Sequence, residues 1–269
     1  MHASLTQIYD FFSISCRLCE TYTVLSVVFN YLCIMISKSR IKLIHALSRA
    51  KERYEKGLFV AEGHKLIDEL KGHFQIEEIF DNLNTEELQQ ASLQRNPQGP
   101  IALFKLPRWS LPLPDVNKLF LALDTVQDPG NLGTIVRLAD WYGIEDIICS
   151  HETADVFSPK AIQATMGAIA RVRVHYTDLP KYLASMREKG IAVYGTFLDG
   201  DSIYGCSLSR GGIIVMGNEG NGISPAVETM VSKKLLIPSY PTGRSTSESL
   251  NVAMATGIIC AEFRRRLSI

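Results

Sequence analysis

The chain has 269 residues, of which 46% are apolar, and its 28 lysines and arginines are balanced by 28 acidic residues. This length suits one large domain or two modest ones, and the apolar fraction excludes a chain that is disordered throughout. A net charge of zero does not exclude nucleic acid as a partner, because binding depends on how charge is distributed over the surface.

The first 35 residues differ in composition from the rest of the chain. Residues 21–36, TYTVLSVVFNYLCIMI, are strongly apolar, but the segment contains Asn30 and is shorter than the about 20 residues of a membrane-spanning helix. The positive start and small-residue cleavage site of a secretory signal are not evident. We expect residues 1–35 to be an atypical extension, with the functional start at or near Met35 and without a membrane anchor.

Six cysteines occur at irregular spacing. Cys16 and Cys19 have no second Cys or His pair at zinc-site spacing, so we expect no metal site. Reduced thiols in a cytoplasmic protein are the simpler expectation. The full set is Cys16, Cys19, Cys33, Cys149, Cys206 and Cys260.

Residues 37–56 have apolar positions at helical spacing, together with seven basic side chains against Glu52 and Glu55. Such a charge run is usually the solvated face of a helix. The alternative is a face that contacts phosphate, since each Lys or Arg near a phosphate releases counterions. The basic residues are Lys38, Arg40, Lys42, Arg49, Lys51, Arg53 and Lys56.

Short strands and helices alternate after this helix. The segments GLFVAEG, IEEIF and GPIALFKL predict strands, and HKLIDELKG and TEELQQAS predict helices. Residues 36–106 therefore predict a small α/β domain. The prolines of LPRWSLPLPDV predict a linker over residues 107–116.

Residues 117–269 predict a second α/β domain. Its strands, LFLALD, DIICS, RVHY, AVYGTF, GIIVMG and KLLIPS, are short and apolar on both faces, as in a parallel sheet that is covered by helices. In such sheets ligands bind at the carboxyl ends of strands, where the loops QDPGNLG, GNEGNGIS and PSYPTGRSTSESLN are expected. The predicted helices are Leu132–Tyr142, Pro159–Ala168, Pro180–Lys189, Pro225–Ser232 and Ser249–Arg266.

Each of these loops presents polar candidates. The first contains neither G-x-G-x-x-G nor G-x-x-x-x-G-K-[ST]. In the helix after it, Arg137 lies opposite the apolar face, either as a solvated side chain or as a bidentate partner of phosphate or carboxylate. The second loop places Glu219 among glycines and asparagines that permit a sharp fold. In the third, Ser247 or Ser249 is expected to cap the last helix, and Asn251 to cap it or to contact a ligand.

In this order, NLGTIVR, IVMGNEGNGIS and LLIPSYPTGRSTSESLNVAMA closely resemble the three motifs of the SpoU (TrmH-like) RNA 2′-O-ribose methyltransferases of the SPOUT superfamily. FVAEGHKLIDEL and PQGPIALFKLP resemble the substrate-binding domain that precedes the catalytic domain in many members. The resemblance runs from Ser37 to Arg266. Between IP and ESLN this chain has a longer stretch than is common in the family, which leaves open whether Ser245, Thr246 or Ser247 faces the ligand.

The resemblance implies an α/β catalytic domain with a deep C-terminal trefoil knot, S-adenosylmethionine as methyl donor, and ribosomal or transfer RNA as substrate. It also implies a homodimer whose active site uses both subunits. By motif position, the catalytic candidates are Asn131, Arg137, Glu219, Ser249 and Asn251. The cofactor contacts fall on Thr196, Gly217, Gly222, Ile237 and Leu250. The basic helix is expected to guide RNA through Lys42, Arg49 and Arg53.

The implied reaction is attack of a ribose 2′-oxygen on the sulfonium methyl group, without a covalent enzyme intermediate or a metal. Because a guanidinium with a pKa above about 12 is a poor base, we expect Arg137 to stabilise the developing alkoxide or to orient the hydroxyl. The main alternative is a non-catalytic RNA-binding protein on the same fold. A dinucleotide oxidoreductase is a more distant one, because the chain lacks the glycine fingerprint of that class.

Overall fold

A computed structural model of the protein describes residues 36–241 and 249–267. The predictions about the N-terminal extension and its start at Met35, about the Cys16–Cys19 pair, and about Ser245, Thr246 and Ser247 lie outside these residues. Within the two described ranges, no helix is long and apolar enough to cross a membrane.

An antiparallel sheet is the centre of the N-terminal unit, residues 36–105. Its strands lie in the spatial order β1–β3–β2, and both neighbouring pairs are antiparallel. The strands are β1 (Leu58–Glu62), β2 (Ile76–Phe80) and β3 (Ile101–Lys105). The helices are α1 (Lys38–Ala46), α2 (Ala50–Lys56), α3 (His64–Lys71) and α4 (Thr85–Ala91). These elements follow the predicted order of strands and helices.

The predicted basic helix is two helices. The side chain of Ser37 accepts from the backbone N–H of Arg40 and starts α1. The helical path ends at Ala46 and resumes at Ala50, and Gly57 closes α2 in the left-handed conformation, with φ of 65°. Helix periodicity continues across the break, so the pattern of apolar residues did not reveal it.

A six-stranded parallel sheet is the centre of the C-terminal unit, residues 119–267. Its spatial order is β6–β5–β4–β8–β7–β9. The strands are β4 (Leu119–Leu123), β5 (Asp146–Cys149), β6 (Arg173–Tyr176), β7 (Val193–Ser202), β8 (Gly212–Met216) and β9 (Lys233–Leu236). The helices are α5 (Pro129–Trp141), α6 (Pro159–Thr165), α7 (Leu179–Glu188), α8 (Pro225–Glu228) and α9 (Val252–Arg265).

Helices cover both faces of this sheet, as its two-sided apolar strands predicted. Leu119, Leu121 and Leu123 point toward the layer that contains α5, α6 and α9. Phe120 and Ala122 alternate with them and point toward α7 and α8. The predicted α/β class with a parallel sheet is confirmed.

Several boundaries differ from the prediction, and three of these differences bear on the strand-end loops. Helix α5 begins at Pro129, so Pro-Gly-Asn-Leu-Gly is the first turn of the helix and not the loop before it, because Asp128 provides the cap and proline fits the first helical position. Helix α9 is capped by Asn251, whose side chain accepts from the backbone N–H groups of Ala253 and Met254, so the expected cap at Asn251 is confirmed and the one at Ser249 is wrong. Strand β7 is longer than predicted, and its pairing with β9 shifts between Thr196 and Asp201.

One hydrophobic core runs through both units. The rings of Phe59 in β1 and Phe157 before α6 lie 5.0 Å apart, centroid to centroid. Trp109, in the proline-rich connection, packs against Phe74 at 6.3 Å and against Phe157 at 5.9 Å. The connection contains no helix or strand, yet it is fixed by these aromatic contacts. The trefoil knot stays a prediction.

Candidate active site

Three polar side chains meet at the carboxyl edge of the parallel sheet. Asn131 Nδ2 donates to Glu219 Oε1 at 3.0 Å, and Asn251 Nδ2 donates to Asn131 Oδ1 at 3.0 Å. Each residue comes from a different predicted motif, and 88 residues separate Asn131 from Glu219. Parallel strands end at the same edge, so the ends of β4 and β8 bring these motifs together.

The first turn of α5 holds Asn131 in place. The backbone N–H of Asn131 donates to Asp128 Oδ1 at 2.8 Å, and Lys160 Nζ lies 2.7 Å from Asp128 Oδ2. The hydrogen bond from Lys160, together with the one from the Asn131 backbone, holds the pKa of the Asp128 carboxyl below its usual value. A charged cap at this end also interacts favourably with the helix dipole.

The glycines of this turn serve helix packing. A Cβ added to Gly133 would lie 2.5 Å from Ala164 Cβ and 2.7 Å from the Ala161 carbonyl oxygen. Helix α5 therefore approaches α6 more closely than a residue with a side chain permits. Packing between α5 and α6 therefore accounts for Gly133 without a role in phosphate binding.

The loop that carries Glu219 is folded by its neighbour Asn218. Asn218 Oδ1 accepts from the backbone N–H groups of Gly220 and Asn221 at 2.9 and 3.0 Å, and Asn218 Nδ2 donates to the Thr125 carbonyl at 2.7 Å. The backbones of Asn218 and Gly222 pair with each other, with Gly222 at φ of 70°. The Glu219 carboxylate is consequently exposed at a defined position beside Asn131.

Sequence reasoning missed two residues that support this loop. Asn218 is one of them, and Asp124 is the other: its buried carboxylate accepts the Ser224 N–H at 2.7 Å. The sequence does mark Asp124 as a candidate, because it is an acidic residue that directly follows the buried strand LFLAL. Its role depends on Ser224, which is distant in the chain, so the local pattern did not reveal the contact.

The predicted cofactor positions lie side by side at the same edge. Gly217 follows β8, Thr196 lies in β7 and Ile237 follows β9, and these three strands are neighbours. The Thr196 hydroxyl donates to the Val215 carbonyl at 3.3 Å. A Cβ at Gly217 would lie 2.3 Å from the Gly222 carbonyl carbon, so only glycine fits there. Leu250 exposes half of its side chain next to the cap of α9.

Arg137 lies outside this cluster within one chain. Its side chain is exposed, and no carboxylate among the residues that the structure describes forms an ion pair with it. Six residues separate it from Asn131, which is about 9 Å along the axis of α5. Trp141, one turn further along the same face, is 84% exposed, and Met254 on the neighbouring helix α9 is 64% exposed.

The predicted RNA contacts occupy different environments. Lys42 and Arg49 are exposed. Arg53 is only 2% exposed, and its Nη2 lies 2.5 Å from Asp155 Oδ2. The prediction that Arg53 contacts RNA is therefore wrong, because its guanidinium faces the interior and is fully engaged there.

A surface cleft of about 560 Å³ lies at the opposite, amino edge of the sheet, lined by residues 112–116 of the connection and by Asp146 and Arg173. None of the predicted site residues lines it. The hydrogen-bonded cluster of Asn131, Glu219 and Asn251 thus identifies the carboxyl edge as the candidate site, although the cleft is elsewhere.

An all-parallel sheet with clustered polar side chains at its carboxyl edge defines an α/β protein that binds its ligand at the strand ends. Residues 118–261 match the SpoU rRNA methylase family, and residues 38–100 match the MRM3-like substrate binding domain. The chain therefore belongs to the SpoU rRNA methylase family, and the resemblance of its motifs is confirmed.

Relatives with known names support this assignment. The 23S rRNA (guanosine(2553)-2'-O)-methyltransferase RlmP of Bacillus subtilis is 30% identical over 237 residues, which cover 81% of this chain and 93% of RlmP. A Porphyromonas gingivalis protein described as a TrmH-family RNA methyltransferase is 40% identical, with a TM-score of 0.77 over 86% of this chain and 99% of its own. An S-adenosylmethionine-bound rRNA methyltransferase from Sinorhizobium meliloti is 31% identical, with a TM-score of 0.75 over 84% of this chain and 94% of its own.

Proposed function

We propose that the protein transfers a methyl group from S-adenosylmethionine to a ribose 2′-hydroxyl of ribosomal or transfer RNA. The observation that carries this proposal is the hydrogen-bonded chain Asn251–Asn131–Glu219 at the carboxyl edge of the parallel sheet. The similarity to RlmP, which is named for this reaction on 23S rRNA, favours ribosomal RNA.

The residues at the edge of β8, β7 and β9 fit the methyl donor. Gly217 lets the backbone of Gly222 and Ile223 pack directly against the end of β8, and Thr196, Ile237 and Leu250 add uncharged surface suited to an adenosine. When bound, S-adenosylmethionine supplies an electrophilic methyl group and a neutral leaving group, so the protein has to position the nucleophile. Gly222 keeps the Glu219 loop turned back on itself at the border of this surface.

The polar cluster positions the ribose. Glu219 accepts from Asn131, and Asn131 accepts from Asn251, so the three side chains hold one another in fixed rotamers. Exposed oxygens of Glu219 remain available to accept from a ribose hydroxyl, while Ser249 is exposed two residues before the α9 cap. Such preorganisation lowers the entropic cost of aligning two reactants.

Arg137 stabilises the negative charge that develops on the 2′-oxygen, because a guanidinium remains charged and cannot act as an efficient base. Its distance from Asn131 along α5 indicates that it acts on the site of a second copy of the chain. The exposed Trp141 and Met254 beside it are the surface that such a copy would cover.

The homodimer is tested by sedimentation of the Trp141→Asp variant. A buried charge at the centre of the interface is expected to separate the copies. The matched control is Leu113→Asp, since Leu113 is also 84% exposed but lies in the connection at the other edge of the sheet. A dimeric Trp141→Asp variant would exclude this face as the interface.

The RNA is guided by the exposed cations of the N-terminal unit, Lys42 and Arg49, and the reaction requires no metal. A cytoplasmic location completes the proposal. Within the described residues, no cluster of His, Cys, Asp and Glu side chains is arranged to hold a metal ion.

The proposal is tested by incubating the protein with labelled S-adenosylmethionine and unmodified RNA, followed by nucleoside analysis of separated ribosomal and transfer RNA. A labelled 2′-O-methylnucleoside supports the proposal, and its fraction identifies the substrate. Asn131→Ala is expected to remove the label, whereas Asn117→Ala, an exposed asparagine at the amino edge of the sheet, keeps it. Cofactor binding without label on any RNA would favour the non-catalytic alternative.

A further inference from the structure

Arg53 joins the two units of the protein. It belongs to α2 in the N-terminal unit, and both Nε and Nη2 donate to Asp155 Oδ2 of the C-terminal unit, at 3.0 and 2.5 Å. Its Nη1 donates to the carbonyls of Leu47 and Ser48, at 2.7 and 2.9 Å. A guanidinium is suited to this task, because its planar fork contacts several acceptors at once.

On the N-terminal side, Arg53 fixes the direction of α1. Leu47 and Ser48 directly follow α1, and carbonyl groups at the end of a helix lack partners within it. By binding both carbonyls, Arg53 sets the angle at which α1 leaves the break before α2. Helix α1 carries Lys42, one of the two exposed cations of the proposed RNA surface.

On the C-terminal side, Asp155 belongs to a loop that supports the site. Its Oδ1 accepts from the backbone N–H of Phe157 at 2.9 Å. The N–H of the adjacent Ala154 donates to the Val126 carbonyl at 2.9 Å, and the Thr125 N–H donates to Ser150 Oγ at 3.0 Å. The loop after β5 is thereby tied to the loop after β4.

The loop after β4 leads directly to the polar cluster. Its last residue, Asp128, caps α5 and holds Asn131, and its Gln127 N–H faces Glu219 Oε2 at 3.5 Å. A continuous set of hydrogen bonds and short backbone segments thus extends from α1, through Arg53 and Asp155, to Asn131.

The energetics of an ion pair whose arginine is buried and whose carboxylate is half-buried suggest a role in geometry. Replacing such a pair by apolar residues is often neutral or stabilising, so its presence is weak evidence for a contribution to stability. The aromatic contacts between Phe59 and Phe157 and around Trp109 already hold the two units together. Unlike ring packing, the Arg53–Asp155 pair is directional.

We propose that Arg53 is a positioning residue, which holds α1 in a fixed register with Asn131 so that RNA bound by the N-terminal unit presents one particular ribose for methylation. This inference rests on the proposed methyltransferase function. It predicts that loss of the pair affects the use of long RNA and leaves the chemistry on a short RNA nearly unchanged.

The wild-type protein is first used to identify the methylated nucleotide. The experiment then compares kcat/KM for two substrates: a long RNA that contacts both units of the protein, and a short RNA fragment around that nucleotide. Arg53→Met and Asp155→Asn are expected to lower the long-to-short ratio by roughly 10- to 100-fold, because a displacement of about 1 Å is enough for such a loss. Methylation of neighbouring riboses should increase, and affinity for S-adenosylmethionine should be unchanged. Arg53→Lys should recover only part of the ratio.

Arg173→Met is the matched control. Arg173 pairs with the buried Asp146 at 2.7 Å within the C-terminal unit, so this variant also leaves a carboxylate without its arginine but does not touch α1. It should keep the wild-type ratio. If Arg53→Met does not fold, the long-to-short ratio of kcat/KM for Asp155→Asn alone tests the proposal.

An unchanged ratio, or an equal loss on both RNAs, would overturn the positioning role. Absence of methyl transfer by the wild-type protein would overturn the proposed function and this inference together. The two failures are therefore distinguishable.

Discussion

The carboxyl edge of the six-stranded sheet and the basic α1–α2 segment differ in how their side chains obtain partners. At the sheet edge, residues that are far apart in the chain meet within 3.0 Å, as Asn131 and Glu219 do. On the basic segment, residues close together in the chain separate, since Lys42 faces solvent whereas Arg53 faces the interior. A residue that follows a strand of the parallel sheet can be placed at the carboxyl edge from the sequence, whereas a residue in a run of basic side chains cannot be assigned to the surface or to the interior.

This difference explains why the predicted motif residues Asn131, Glu219 and Asn251 lie together, whereas the predicted RNA contact Arg53 is buried. The motifs combine a buried strand with the loop that follows it, and the parallel sheet aligns all such loops at one edge. The basic run offers seven cations of similar chemistry, and the burial of one of them depends on Asp155, which is 102 residues away. The distinction between a surface cation and an internal one arises only when the two units pack.

Replacement of Arg137 is expected to show the largest effect on methyl transfer. Arg137→Ala should lower kcat by roughly 10²- to 10³-fold, since it removes a charge that stabilises the transition state, while the affinity for S-adenosylmethionine is retained. Arg137→Lys should also be defective, because a lysine lacks the planar guanidinium. Single-turnover methylation and calorimetric titration measure the two quantities.

The control for this prediction is Arg210→Ala, an exposed arginine that precedes β8 at the amino edge of the sheet. It should behave like the wild-type protein. Equal loss of cofactor binding in Arg137→Ala would show that the residue has a structural role and would exclude it from the reaction.

Gly217 tests the cofactor side of the same edge. Gly217→Ala places a Cβ at 2.3 Å from the Gly222 backbone, and the resulting displacement should lower stability by about 1–3 kcal/mol. Affinity for S-adenosylmethionine should fall as well. Gly205→Ala is the control, since a Cβ there meets no atom within 4 Å. Thermal unfolding with and without cofactor measures both effects, and wild-type behaviour of Gly217→Ala would remove this position from the site.

Asp146 tests a part of the sheet that lies away from both regions. Burial alone would raise the pKa of this carboxyl, but hydrogen bonds from Arg173 and His175 outweigh burial and lower it to about 2. Because this value lies below the unfolded-state pKa of about 3.9, the stabilisation is present above about pH 4 and is lost as the pH falls toward 2.

Solvent screening reduces the expected contribution to about 1–2 kcal/mol. Urea unfolding of the wild-type protein and of Asp146→Asn measures this contribution. The titrations cover about pH 2 to 5, an interval that includes the usual carboxyl pKa. The stability of this variant should depend less on pH over that interval than that of the wild-type protein. An identical pH dependence would mean that other carboxyls dominate acid unfolding.

The exposed cations of the basic segment are expected to show the smallest effect. Replacing Lys42 and Arg49 together by alanine should weaken RNA binding moderately and reduce the slope of log K against log salt concentration by about two, one for each phosphate contact. Binding titrations at several salt concentrations provide the measurement. Lys189→Ala in the C-terminal unit is the control for a single exposed cation, and an unchanged slope in the double variant would leave α1 as scaffold.

The sequence by itself determined the order of strands and helices, the two-sided burial of the parallel strands and the identity of the residues at the strand ends. These features depend on local patterns, because short apolar runs define strands and apolar residues at helical spacing define helices. The hydrogen bonds among Asn131, Glu219 and Asn251 followed once those strands were aligned.

Only the tertiary structure decided the break between α1 and α2, the packing role of Gly133 and the burial of Arg53. The last two depend on partners that are distant in the chain: Gly133 on Ala164 in the neighbouring helix, and Arg53 on Asp155 in the other unit. Local patterns carry no information about such pairs, because the free energy of burying a charge or of bringing two backbones together arises only when the units pack. For that reason Arg53, which resembles its basic neighbours in sequence, is an internal residue that joins the two units.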